Sequence, residues 1–135
     1  MKKSLFLLLF VAPIICFSQT SFSCHYVELC KWNSYEESWG NCTDADKNNS
    51  LFVMNSSETM FTHTTTEQES TYYVKEAVYT KEQSDKGFFA YEVISDAGNE
   101  YYFIFDMTNK EVKAVSTSGD VDDWYLLRWY VKSIF

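Results

Sequence analysis

The chain has 135 residues and is 46% hydrophobic, 19% aromatic and 22% charged, with Gly 4, Pro 1 and Cys 4. That composition excludes collagen-like and Pro/Gly-rich low-complexity chains, and it supplies enough apolar surface to offset the entropy of folding. A formal charge of −8 argues against nucleic acid or an anionic membrane surface as partner, because both require a basic face.

Met1-Lys2-Lys3-Ser4 leads into an apolar run from Leu5 to Cys16. A basic start and a short apolar run are the plan of a secretory signal peptide. The run is shorter than the roughly 20 residues that span a bilayer, so no membrane span is expected. Cys16-Phe17-Ser18 places small residues where signal peptidase looks, which predicts cleavage after Ser18, with Gln19 as the alternative. Ile15 stands where a lipidated Cys16 would require a small residue. Residues 1–18 are therefore read as a signal peptide and 19–135 as a single β domain, exported to the periplasm or the medium. Losing Lys2 and Lys3 makes the mature chain more acidic still.

Three cysteines follow: Cys24, Cys30 and Cys42. Cys24 and Cys30 flank an expected strand, His25–Leu29, whose extended length of roughly 20 Å is far beyond disulfide reach. Cys42 must return to meet one of them. Cys30–Cys42 is the favoured pair and Cys24–Cys42 the alternative, with one thiol left over. A zinc site from Cys24, His25, Cys30 and Cys42 lacks the paired C-x2-C spacing.

From Leu51 onward, short runs rich in Tyr, Phe, Val, Ile and Thr alternate with turn clusters. The expected strands are Leu51–Met54, Thr59–Thr66, Thr71–Thr80, Gly87–Ser95, Glu100–Asp106, Glu111–Thr117 and Trp124–Lys132. Asn55-Ser56-Ser57, Ser84–Gly87, Asp96–Asn99 and Thr108–Lys110 supply the turns. Ser34–Trp39 is expected to form a helical turn, and no longer helix is expected. Both faces of the late strands carry large apolar groups, so the sheet must wrap, be covered on both sides, or bind something. The fold expected is all-β: a single antiparallel meander curved into a small barrel or half-barrel, with a two-sheet sandwich as the alternative.

The search for chemistry gives few candidates. There is no G-x-S-x-G, no H-E-x-x-H and no phosphate-binding glycine loop. His63 lies in a Thr-rich strand and reads as a surface or sheet histidine. Asp44, Asp46 and Asn48 place oxygen donors at alternate positions, as a calcium loop opens, but Asn49 replaces the expected Gly and no closing Glu follows. No cofactor is expected other than calcium at this loop. Glu36/Glu37, Glu67/Glu69 and Asp120/Asp122/Asp123 are close carboxylates, which a glycosidase would need across a cleft. Aromatic residues are abundant, and Trp32, Trp39 and Trp124, beside polar loops, are the candidate ligand-binding rings.

The functional expectation is a small exported, non-catalytic binding or interaction module for an apolar small molecule, a saccharide or another envelope protein. An acidic inhibitor or immunity-like partner of a basic protein is the alternative, and a carboxylate-dependent hydrolase the third.

Overall fold

In the computed structural model the described residues are 19–135, and the expected signal peptide, 1–18, lies outside them. The chain order is β1 (Thr20–Asn33), β2 (Ser38–Gly40), β3 (Asp46–Met54), β4 (Met60–Thr64), β5 (Glu69–Ala77), α1 (Lys81–Asp85), β6 (Phe88–Ser95), β7 (Glu100–Asp106), β8 (Glu111–Ser116), a 3-10 turn (Val121–Asp123) and β9 (Tyr125–Ile134). Every pairing is antiparallel between neighbours in the meander, and β9 returns to pair with β1. The result is a closed eight-stranded barrel with β2 as an extra strand on β1. The wrapped meander is the expected architecture, and closure leaves no second sheet for a sandwich. No helix among the described residues is long and apolar enough to cross a membrane.

Alternation explains which side chains fill it. In β7, Phe103 and Phe105 are buried inward while Tyr102 points out. Inward Phe22 and Cys24 come from β1, Phe52 and Met54 from β3, Phe61 from β4, Tyr91 and Val93 from β6, and Trp129 and Val131 from β9. Opposite these rings β8 contributes Val112, Ala114 and Ser116. These small groups leave room for the rings to meet on the axis. Phe52 lies at the centre, with its ring 4.1 Å from His63, 5.0 Å from Trp129, and 6.1 Å from both Phe103 and Phe105. The interior is a packed aromatic core rather than a ligand chamber.

Three local expectations change. β1 is far longer than His25–Leu29, because its polar residues face solvent or the ends of the barrel while Phe22, Cys24 and Val27 fill it. Beyond Ala77 the chain leaves the sheet for α1, which Thr80 and Gln83 start with a reciprocal capping box. Residues 34–37 form a turn and Ser38–Gly40 form strand β2 in place of the helical turn through Trp39. The turn into β6 needs Gly87, where φ is +78° and a Cβ would come within 3.2 Å of the Met107 Cβ.

Of the two readings of His63, surface or sheet, the structure gives the sheet histidine: it belongs to β4 and faces the core. It lies opposite Phe52 in the β3–β4 register, stacks on that ring at an interplanar angle of 4°, and leaves its Nε2 buried without a partner. Its neighbours Thr62 and Thr64 alternate with it and take the outer face of the strand. Burial disfavours the imidazolium and lowers the His63 pKa to about 4. The unfolded chain then takes up a proton near pH 6.5 that the folded chain refuses until about pH 4. Stability is therefore lost as pH falls through that window. Urea titrations at pH 7.5 and 4.5 should show His63→Phe losing roughly 2–3 kcal/mol less than the parent chain over this interval. Parallel losses in the two proteins would contradict the buried neutral histidine.

Candidate functional site

The C-terminal end of β1 runs past the barrel and turns back as β2, forming a short flap. Its construction begins with an edge problem. β3 leaves β1 after Val27 pairs with Asp46, so the β1 edge beyond that point has lost its neighbour. Thr43 covers the gap: its N–H donates to the Leu29 carbonyl at 2.8 Å, and its Oγ1 accepts from the Leu29 N–H at 3.0 Å. Past it, Lys31, Trp32 and Asn33 pair with Gly40, Trp39 and Ser38. The Cys30–Cys42 disulfide closes this segment, as the loop geometry predicts. Cys30 is fully buried beneath it, beside Leu126 of β9.

The three suspected tryptophans converge here. Trp32 and Trp39 face each other across the hairpin with centroids 5.1 Å apart, and Trp124 lies 6.1 Å from Trp32. The Trp32 N–H donates to the Trp124 carbonyl at 3.2 Å, and Ser34 Oγ donates to Asp122 Oδ1 at 3.3 Å. These contacts tie the flap to the segment before β9. At the tip, Asn33 Oδ1 accepts from the N–H groups of Tyr35 (3.0 Å) and Glu36 (3.2 Å), and Glu37 takes a left-handed backbone with φ 48°. The side chain held out by this turn is Tyr35, which is 100% exposed.

Residues 33–44 and 119–124 carry Glu36, Glu37, Asp44, Asp120, Asp122 and Asp123, and no Lys or Arg; Lys31, at the base of the hairpin, has its Nζ 5.8 Å from the Tyr125 ring centre. The flap is thus an acidic surface around a projecting phenol. On the adjoining wall, by contrast, acid is paired with base: Glu28 pairs with Arg128 at 2.5 Å and accepts from the Tyr130 hydroxyl at 2.8 Å.

The other candidates fall elsewhere. Asp46 and Asn48 belong to strand β3, with Asp44 before it, so the alternate oxygen donors are strung along extended chain rather than wrapped around a point. Glu28, Cys30 and Cys42 bring possible metal-ligand atoms within 4.8 Å of one another, but both sulfurs are in the disulfide. Glu67 and Glu69 lie at the β4–β5 turn and the start of β5, where Glu67 lines a groove with Lys47, Asn48 and Asn49. Comparison with protein-family models, with curated proteins and with solved structures returned no match to this chain. The geometry above is what carries a functional reading.

Cys24, the remaining cysteine among the described residues, faces the barrel interior, and burial pushes its thiol up to about 12. In the oxidised chain beginning at Gln19, a thiol reagent at pH 8 should find no reactive group in the folded state. One thiol should appear on denaturation, and three after denaturation with reduction. A thiol that reacts at once in the folded protein would contradict this placement.

Proposed function

We propose that the protein is an exported, non-catalytic interaction module that presents its flap to a protein partner with a basic surface. The observation that carries this reading is Tyr35, fully exposed on a turn that is pinned by a disulfide, a tryptophan cluster and an Asx turn. Projecting aromatic rings on preformed loops are strong anchors, because little conformational freedom is lost on docking. The surrounding carboxylates supply steering toward a cationic partner. Export is supported by the Lys-led apolar start and by a disulfide, which persists in oxidising compartments.

This reading fits better than an internal apolar ligand, because aromatic rings occupy the barrel axis. It also fits better than a saccharide platform. Trp32 and Trp39 meet at 71°, and Trp32 and Trp124 at 46°, so the three rings offer no common flat face. They act as a small external core that stiffens the flap, and the partner-facing groups are Tyr35, Glu36 and Glu37.

Photo-crosslinking in exporting cells tests the proposal. A p-benzoylphenylalanine is placed at position 35, and as a control at Tyr73, which is half exposed on the barrel wall. A discrete adduct with a basic protein is expected from position 35 and not from position 73. Glu36→Lys with Glu37→Lys should suppress it, as should about 0.5 M salt. With the captured protein purified, Tyr35→Ala should weaken binding tenfold or more. Absence of an adduct at position 35, equal adducts from both positions, or a partner indifferent to Tyr35→Ala would reject the flap as the interface.

A further inference from the structure

β1 runs from the flap to the opposite end of the barrel, where the structure holds a second feature of different chemistry. A cavity of about 240 Å³ opens there, with an apolar lining from Phe22, Met54, Phe89, Phe105 and Met107. That is below the roughly 300–1,000 Å³ of sites for drug-sized ligands, so it accommodates a small molecule or the end of a longer one.

The polar part of the lining is Thr20, Asn55, Ser56, Glu58 and Tyr91, and of these Glu58 carries the charge. Glu58 Oε1 accepts from the Tyr79 hydroxyl at 2.9 Å and from the Tyr91 hydroxyl. Burial, then the bond to Glu58, push the Tyr91 phenol up, so it remains a donor. Glu58 is exposed at the mouth of the cavity: Oε2 receives no hydrogen bond from the described residues and is open to solvent, and none of their cationic side chains pairs with it.

The turn that carries the carboxylate is held by its own hydrogen bonds. Glu58 has a left-handed backbone with φ 54°, a conformation that costs a non-glycine residue free energy. Asn55 enforces it. Its carbonyl accepts from the Glu58 N–H, its Oδ1 accepts from the N–H groups of Thr59 and Met60, and its Nδ2 donates to Thr59 Oγ1 at 2.7 Å. Beside the carboxylate, the ring of Tyr79 lies 5.5 Å from Tyr91 and 5.2 Å from Phe89. A carboxylate at the mouth with no cation of the described residues on it, aromatic rings beside it and an apolar floor behind it together match a cation with a hydrocarbon body.

We propose that this end of the barrel is a second binding site, which takes a small organic ammonium ion with an apolar tail. The ammonium donates to Glu58 Oε2 against the rings of Tyr79 and Tyr91, and the tail lies on Met54, Phe105 and Met107. The site is independent of the flap.

Methyl NMR of the chain from Gln19 tests it, with Met54 and Met107 as reporters and Met60 as a third methionine resonance. The probes are n-hexylammonium, 1-hexanol and hexanoate. Hexylammonium should shift the Met54 and Met107 methyls with at least tenfold higher affinity than hexanol, and hexanoate should leave them unmoved. Glu58→Gln should abolish the preference for the amine while hexanol binding persists. Ser56→Lys, which sets a cation on the exposed rim without touching Asn55 or the tyrosines, should do the same and guards against a folding defect in the first variant. Tyr35→Ala should change nothing, so failure here and failure of the flap reading are separable. Unshifted Met54 and Met107 methyls, equal affinity for amine and alcohol, or a preference that survives both variants would overturn the proposal.

Discussion

The pairing of β1 with β9 is the constraint on which the rest of the molecule depends. It runs from Phe22 opposite Ile134 to Lys31 opposite Tyr125, with register shifts between Ser23 and Cys24 and between Cys24 and Tyr26. Without it the meander would be an open sheet with two long edges and an exposed aromatic face. On the outer wall, Glu28 binds Arg128 and Tyr130 across this seam, with Glu111 of β8 on the far side of Arg128. β1 is longer than β3 can cover, and that surplus creates the flap. Thr43, the disulfide and β2 satisfy an edge that would otherwise invite pairing with another chain.

Closure also decides where binding can occur. Inward aromatic residues from nearly every strand meet around Phe52, and the small side chains of β8 let them pack to the axis. A barrel filled in this way is a rigid support. Recognition moves to what stands outside it, namely the flap at one end and the Glu58 cup at the other. The two are built by the same device: a side-chain amide, of Asn33 or of Asn55, holds a turn so that one residue is displayed.

Much of the fold was legible in the sequence, because alternation and turn chemistry act locally. Tyr101, Phe103 and Phe105 announce a buried face, and the length of an extended strand excludes a Cys24–Cys30 bridge. The reach of β1 was not legible, since Ser21, Ser23, His25, Glu28 and Lys31 break any hydrophobic run. Helix α1 left a readable trace in Thr80 and Gln83, whose spacing is that of a capping box. His63 gave no trace, because a stacked neutral imidazole and an exposed one look alike among threonines. Trp32, Trp39 and Trp124 could each be suspected singly. Trp32 and Trp39 meet through the local hairpin, but that Trp124 joins them follows only from barrel closure, which brings residues some ninety positions apart together. The same holds for Glu58, a turn residue whose tyrosine partners come from elements that the sequence does not join.

Native-state hydrogen exchange on the oxidised protein addresses the closed barrel and its pinned flap together. Amides of β1 that pair with β9 should exchange as slowly as those of β6 and β7, in the slowest class. The Trp32–Trp39 hairpin amides should show protection well above that of free peptide. Rapid exchange along β1 and β9, as in edge strands, or an unprotected hairpin with the Cys30–Cys42 disulfide intact, would contradict the account.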